Sequence, residues 1–504
     1  MTITVRNFIA GTWCDAQDGR RFSSFNPARR DEVVAEAPLS SRADVDRAVQ
    51  AARDAFRSWS TMPAPRRGEY LFRAAEILRR KKDELGELVT REMGKVLLEG
   101  LGDVQEGIDI GFYMGGEGRR FQGETVPSEL ADKDCKSIRE PLGVVALVTP
   151  WNFPVAIPSW KMFAALICGN TVILKPSSET PACAAALVAV FEEAGIPPGV
   201  VNLVCGPGEE VGEYLMCHKD VDAASFTGSC AAGEAMERKL AELHRPVALE
   251  MGGKNAIVVM NDADLDLALE GVLWGAFGTT GQRCTATSRL LVQEGVYEQL
   301  LRMLAERAST LKLGNGLDPQ TQVGPLVNES QCRKVQDYIR VGQQEGARLV
   351  TGGMRLEDGE LGRGCFVAPT VFGDVTPGMR IAREEIFGPV LSVMKIANFE
   401  QAAAIVNGSP FGLSSSIYSS DVNLTARAEK ELKTGIVYIN ASTIGAEVQL
   451  PFGGWRHSGS GHPEAGGKGG AIDFFTRMKV IYRDYSGKLQ RAQIDTAAEG
   501  AGSR

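Results

Sequence analysis

Short apolar runs alternate with longer stretches of helical periodicity over most of this chain. Residues 144–149, 171–175, 200–204 and 223–227 read as strands, with helix-like segments at 159–168 and 181–194 between them. Strand–helix alternation of this kind predicts a parallel α/β sheet. A second series follows: strands at 256–260, 290–293 and 366–372, and a final inner strand at 435–440. Helices are expected at 265–277, 297–311 and 329–345, the first preceded by Asp262 and Asp264. Pro369 places the strand at 366–372 on an edge, where a missing amide is tolerated.

The N-terminal part reads as an edge strand at 7–13, a turn at 15–19 and a second strand near 32–37. Ser41 is placed to cap a helix starting at Arg42, its hydroxyl accepting an early amide hydrogen. Amphipathic helices follow at 64–82 and 84–98, with their charge runs as solvated faces. Residues 101–120 form another helix, carrying a bulky cluster at Phe112, Tyr113 and Met114. The stretch 123–136 is polar and turn-rich, and 352–364 reads as a surface hairpin. A glycine-rich crossing at 441–461 precedes a last strand at 479–485 and a polar tail at 495–504, expected to be poorly ordered.

A chain of 504 residues can support two or more domains. Its formal net charge of -8 argues against a broad nucleic-acid or anionic-membrane surface. No apolar run reaches membrane-spanning length, and no basic segment leads into one. The ten cysteines show no compact disulfide or metal-site spacing, and four scattered histidines suggest no metal centre. A reducing, cytoplasmic setting fits free thiols.

One stretch stands out chemically. Leu249-Glu250-Met251-Gly252-Gly253-Lys254-Asn255 places a carboxylate before two glycines, and Phe277-Gly278-Thr279-Thr280-Gly281-Gln282-Arg283-Cys284-Thr285 ends a small-residue approach on a cysteine. Glycine at 278 and 281 would permit close backbone approach. A thiolate can attack while a carboxylate manages water or protons. Alone, a cysteine is more often a buried small hydrophobe, and a glutamate more often an exposed or paired carboxylate.

Together these two pieces resemble the active-site signatures of the NAD(P)-dependent aldehyde dehydrogenase superfamily, nearest to its semialdehyde-oxidising branches, and the resemblance runs over nearly the whole chain. It implies Cys284 as nucleophile, Glu250 as general base, and the Asn152 side chain with the Cys284 amide as oxyanion donors. The implied fold is a Rossmann-like cofactor domain (1–124 and 144–252), an α/β catalytic domain (253–444), a return segment and active-site wall (445–474), and a small β oligomerisation arm (125–143 and 475–494). That arm implies a homodimer or homotetramer.

No Gly-x-Gly-x-x-Gly fingerprint follows a strand here, but the superfamily grips its cofactor differently. By resemblance, NAD or NADP is held by Trp151, by Lys175 and Ser178 at the adenine-side ribose, by Gly228 and Ser229 at the pyrophosphate, and by Glu385 and Phe387 at the nicotinamide side. A glutamate often stands where this chain has Ser178, and its absence favours use of NADP. The substrate aldehyde is expected to meet Arg283, Glu106, Ser442, Gly445 and Ala446. Arg283 could acidify the thiol, bind a substrate carboxylate, or pair with a structural carboxylate. The expected reaction is oxidation of a carboxylate-bearing semialdehyde to the acid through a cysteine thiohemiacetal and thioester. Broad simple-aldehyde oxidation and coenzyme A-acylating chemistry are the alternatives.

Overall fold

The computed structural model describes residues 2–495. Two seven-stranded sheets dominate it. In the first, Val247–Glu250, Ala223–Thr227, Val144–Val148, Thr171–Lys175 and Val201–Leu203 lie side by side and parallel. Each is buried on both faces, which is why they read as apolar runs with no alternation. The helices Arg42–Thr61, Ala156–Ile167 and Pro181–Glu193 pack on this sheet.

The second sheet runs Arg348–Thr351, Thr370–Gly373, Val390–Ile396, Thr287–Gln293, Asn255–Val259, Ser414–Tyr418 and Ile436–Ile439. All neighbours are parallel except the first pair. The chain crosses from the edge strand Val247–Glu250 to Asn255–Val259 within four residues. The two sheets therefore meet at Met251-Gly252-Gly253-Lys254, and the candidate chemistry sits at that junction.

Several details differ from the sequence reading. Residues 7–13 are two strands, Asn7–Ile9 and Thr12–Cys14, folded back at the left-handed pair Ala10-Gly11. Ser41 caps its helix differently: its hydroxyl donates to the Asp44 carboxylate, which also takes the Ser41 backbone amide at 2.9 Å. The strand around Pro369 starts after it, at Thr370, and is internal, because Arg348–Thr351 covers that flank. Ile436–Ile439 is an edge strand and only half-buried, not an inner one. Residues 352–364 hold a single bridge, Arg355 to Val367, and a short turn of helix in place of a hairpin.

Thr476–Asp484 pairs antiparallel with Lys133–Pro141 along its whole length, and Thr125–Pro127 completes a three-stranded arm. Met478, Val480 and Tyr482 lie on this arm, each at least half exposed. Among the described residues no helix is long and apolar enough to cross a membrane, and no group of histidine, cysteine and acidic side chains could hold a metal ion. All ten cysteines are unbridged. The tail at 496–504 lies outside the described residues.

Candidate active site

A cavity of about 190 Å³ opens where the two sheets meet. Trp151, Asn152, Gly228, Ser229, Cys284, Glu385 and Phe387 line it, so seven side chains or backbones singled out from sequence converge. Three loops at strand carboxyl ends carry Trp151–Asn152, Gly228–Ser229 and Met251–Gly252, the place where a parallel sheet binds ligands.

Cys284, the candidate nucleophile, follows a strained loop. Helix Leu265–Phe277, capped by Asp264, ends at Gly278, and Thr279, Thr280 and Gly281 then adopt left-handed backbone in succession. That conformation is costly for β-branched threonine. It persists because its groups are tied down: Glu99 accepts the Thr279 amide at 2.7 Å, and the Thr280 hydroxyl donates to Gly324. Gln282 reaches Thr279 and Pro325 through its amide nitrogen and accepts the Val327 amide. Of the two glycines flagged in the sequence, only Gly281 has positive φ, and a Cβ there would run into the Gly388 carbonyl. Gly278 has ordinary φ and no such need.

Asn152 is buried, and its side-chain amide donates to the Gln282 carbonyl at 3.0 Å. One N–H of the pair is thus spent on orientation, leaving the other for the cavity. The Cys284 thiol is pushed far above its usual value, first by burial and then by the carboxylates of Glu250, Glu385 and Glu464, while the Thr285 amide opposes this. Arg283 is engaged elsewhere. Its guanidinium donates to Glu99 at 3.1 Å and to the Thr279 hydroxyl at 2.8 Å, and lies over the rings of Phe153 and Trp274. Of the three roles open to Arg283, pairing with a structural carboxylate is the one its contacts show.

Glu250 ends the edge strand and is buried. One oxygen accepts the Gly454 amide at a long 3.3 Å, and the other has no partner among the described residues. Burial, and then the neighbouring Glu464, hold its carboxyl well above the ordinary range, with Lys161 opposing. Glu464 itself is paired with Lys161 and Thr227. The glycines at 453 and 459 leave room for the Glu250 carboxylate, since a Cβ at either would sit 3.1–3.2 Å from it.

At the other end of the cavity Glu385 accepts the Gly253 amide at 2.9 Å, and Gly252 has no space for a Cβ beside that carboxylate. Phe387 is held at φ 60° by Gln331, which donates to its carbonyl and to that of Ile386. Ser229 lines the cavity and caps helix Cys230–Glu242, accepting the Ala232 amide, so a helix N-terminus of the kind that suits phosphate begins at the cavity wall. Lys175 is buried, its pKa lowered to about 8 by burial. The Ser178 hydroxyl donates to Gly206. Glu179 accepts from Asn328 at 2.9 Å and so is turned away from the position of Ser178. Lys175 and Ser178 do not line this cavity, whose carboxylate, aromatic rings and helix terminus fit the nicotinamide and phosphate part of a dinucleotide.

The substrate-side residues are more scattered. Glu106 is half-buried, its pKa raised to about 8 by burial and Asp103, with Arg283 and Lys95 opposing. Ser442 is turned away, donating to Gly271 at 2.8 Å. Gly445 is exposed with positive φ, and Ala446 is half-buried against the first core. Glu447 is exposed and points to Gln449. Sequence reasoning missed Gln331 and Lys334, which line the cavity from one face of helix Glu329–Gln344. Their i, i+3 spacing was visible, but nothing in the sequence says which face meets the cavity. It also missed Glu464 and Lys161, brought together over 303 positions of chain.

The model of the family described as "Aldehyde dehydrogenase family" matches residues 13–481. The chain is 43% identical to the α-ketoglutaric semialdehyde dehydrogenase of Bacillus subtilis over 95% of its own length and 98% of that protein's. It is 40% identical to malonate-semialdehyde dehydrogenase 3 of Geobacillus kaustophilus, over 96% and 99%. Among solved structures, betaine aldehyde dehydrogenase from Staphylococcus aureus in complex with NAD+ superposes with a TM-score of 0.94 at 34% identity, covering 97% of each chain.

Proposed function

The chain belongs to the aldehyde dehydrogenase family and is an NAD(P)+-dependent enzyme that oxidises an aldehyde to a carboxylic acid through a cysteine; from that premise we propose how its own residues divide the work. Cys284 attacks the aldehyde carbonyl to form a thiohemiacetal. The Asn152 side chain and the Cys284 backbone amide hold the developing oxyanion. The bound dinucleotide supplies the hydride acceptor. Glu385 and Phe387, with Trp151 packed beside Phe387, would hold its nicotinamide side, Gly228 and Ser229 its pyrophosphate, and Lys175 and Ser178 its adenine-side ribose. The product of oxidation is a thioester on Cys284. Glu250 swings from its loosely held position and activates the water that releases the acid. The presence of that base favours water over coenzyme A as the acyl acceptor.

The substrate we propose is an aliphatic semialdehyde with a distal carboxylate. The observation that carries this is Arg283, a cation next to the nucleophile with donors left over after its bonds to Glu99 and Thr279. Glu106, held largely neutral at pH 7, does not repel such a substrate. The names of the relatives, α-ketoglutaric and malonate semialdehyde dehydrogenases, support the same class. Gly445, Ala446 and Ser442 belong to the opposite wall. Broad oxidation of simple aldehydes is the second reading, favoured by the same Glu99 pairing, which leaves Arg283 only partly free. A kinetic panel separates them: succinic, glutaric, α-ketoglutaric and α-aminoadipic semialdehydes against propanal, hexanal and benzaldehyde. The acids should lead by about tenfold or more, and Arg283→Met should erase most of that lead, as a lost charge-assisted bond is worth roughly 1.5–3 kcal/mol. A lead for hexanal or benzaldehyde ends the carboxylate reading.

We further propose that NADP+ serves beside NAD+. Ser178 is neutral, Glu179 faces Asn328, and Lys175 is available to a 2′-phosphate. Catalytic efficiency with NADP+ should fall within about a hundredfold of that with NAD+. No NADP+ turnover at saturating aldehyde would end this reading. The grouping of strands into separate sheets supports a division into cofactor, catalytic, return and arm segments at 1–124 with 144–252, 253–444, 445–474, and 125–143 with 475–494. The exposed apolar arm and the half-buried edge strand Ile436–Ile439 support a homodimer or homotetramer, and the free thiols support a cytoplasmic location.

A further inference from the structure

The peptide planes around Cys284 are held by two side chains that no part of the reaction described above uses. Asn255 is buried and begins the second sheet. Its Nδ2 donates to the Cys284 carbonyl at 2.7 Å and to the Ala286 carbonyl at 3.0 Å, while its Oδ1 accepts the Ser414 amide at 3.0 Å. Thr443 is fully buried on the return wall. Its hydroxyl donates to the Thr285 carbonyl at 2.8 Å and takes a hydrogen from Thr287 at 2.7 Å.

A peptide plane is rigid, so fixing its carbonyl also aims the amide of the next residue. The plane that Asn255 grips at the Cys284 carbonyl carries the Thr285 N–H, the amide that opposes the rise of the Cys284 thiol's pKa. The plane that Thr443 grips at the Thr285 carbonyl carries the Ala286 N–H. That amide donates to the Arg283 carbonyl at 3.1 Å. The Arg283 carbonyl in turn shares its plane with the Cys284 N–H, the backbone donor for the oxyanion. Neither clamp could act from the surface, because each replaces water that a buried carbonyl no longer meets. Gly253 belongs to the same arrangement: a Cβ there would lie 2.6 Å from the Cys284 carbonyl and crowd it off Asn255.

We propose that Asn255 and Thr443 are positioning residues with separate tasks: Asn255 aims the Thr285 amide at the thiolate, and Thr443 aims the Cys284 amide at the oxyanion. This rests on Cys284 being the nucleophile and its amide an oxyanion donor. The two tasks predict different kinetic signatures, which general support of the fold would not.

Two readouts separate them in the full-length enzyme. Thiolate formation is read from the pH dependence of iodoacetamide alkylation, followed by the mass of the peptide bearing Cys284. Oxyanion support is read from the pre-steady-state rate of NADH appearance with propanal, chosen because it lacks a distal group. Asn255→Ala should move the alkylation midpoint up by about one pH unit. Thr443→Val, nearly the same shape, should leave that midpoint in place and slow NADH appearance about tenfold. Thr443→Ser should restore most of the rate. Asn255→Ser serves the first arm if the alanine variant does not fold, which NADH binding checks. A shift of the alkylation midpoint in Thr443→Val equal to that in Asn255→Ala overturns the division of tasks. Equal rates for the valine and serine variants, or no midpoint shift in either Asn255 variant, overturn it as well. Aldehyde oxidation by Cys284→Ala would instead sink the assignment of the nucleophile on which it rests.

Discussion

The loop that carries Cys284 and the strand end that carries Glu250 face one another across the same junction, yet they are built on opposite principles. From Thr279 to Ala286 most backbone carbonyls are tied by a buried side chain or a neighbouring amide, and two threonines are held in left-handed backbone. Among the described residues Glu250 has one long bond at one oxygen and none at the other. The difference matches two demands. Attack on a carbonyl needs a nucleophile and donors fixed before the substrate arrives. Thioester hydrolysis needs a carboxylate that stays clear while the cofactor's reacting end occupies the cavity and then moves in with water. Strain in the loop is the cost of the first demand, and weak anchoring is the means to the second.

The largest test of this contrast removes the fixed partner. Cys284→Ala should lower aldehyde oxidation by roughly 10⁴-fold or more and abolish acyl-enzyme, because no other group can form the covalent intermediate. Cofactor binding, read by fluorescence titration, should persist, since the residues at both ends of the cavity remain. Loss of cofactor affinity in step with activity would show that the loop also builds the dinucleotide site.

Removing the mobile partner should do less, and later in the cycle. Glu250→Gln should lower steady-state turnover by roughly 10²–10³-fold while leaving a burst of NADH close to one per site. The raised pKa of Glu250 gives the sign of the pH effect. A buried carboxyl holds its proton to higher pH, and only the ionised form accepts a proton from water. Thioester hydrolysis in the wild type should therefore climb with pH above the usual carboxylate range, and the glutamine variant should lose that climb. A burst reduced as much as the steady state would mean that Glu250 acts before the thioester forms.

Legibility from sequence followed the same divide. The inner strands of the first sheet were readable within a residue or two, because burial on both faces leaves an unbroken apolar run. Cys284, Glu250 and Asn152 could be singled out from their motifs, and they lie at one junction; their roles are the proposal made above. What could not be read depends on who covers whom. Ile436–Ile439 is as apolar as a central strand, yet it ends the sheet, a matter of topology that four residues cannot encode. Arg283 was open to three roles because its partner Glu99 lies 184 positions away. Ser41 is correctly a helix cap, but whether its hydroxyl gives or takes a hydrogen turns on the Asp44 rotamer.

The finest test asks whether the rigidity of the nucleophile loop matters by degree. Gly281 is the last of the three left-handed residues, and a Cβ there would press on the Gly388 carbonyl, in the segment that carries Glu385 and Phe387. Gly281→Ala meets both a positive φ and a backbone clash, a strain of roughly 1–3 kcal/mol. The loop must give by a fraction of an ångström at the side nearest the nicotinamide end. Displacements of about 1 Å cost up to ~10²-fold in rate, so an activity loss of roughly tenfold is expected, with a lower melting temperature and weaker cofactor binding together. The same residue change should leave the ratio of hydrolysis to NADH formation as in the wild type, because Glu250 is held by Gly454 and not by this loop. A Gly281→Ala enzyme that accumulates thioester would show that the fixed and the mobile halves of the site are coupled, and the contrast between them would then be one of degree alone.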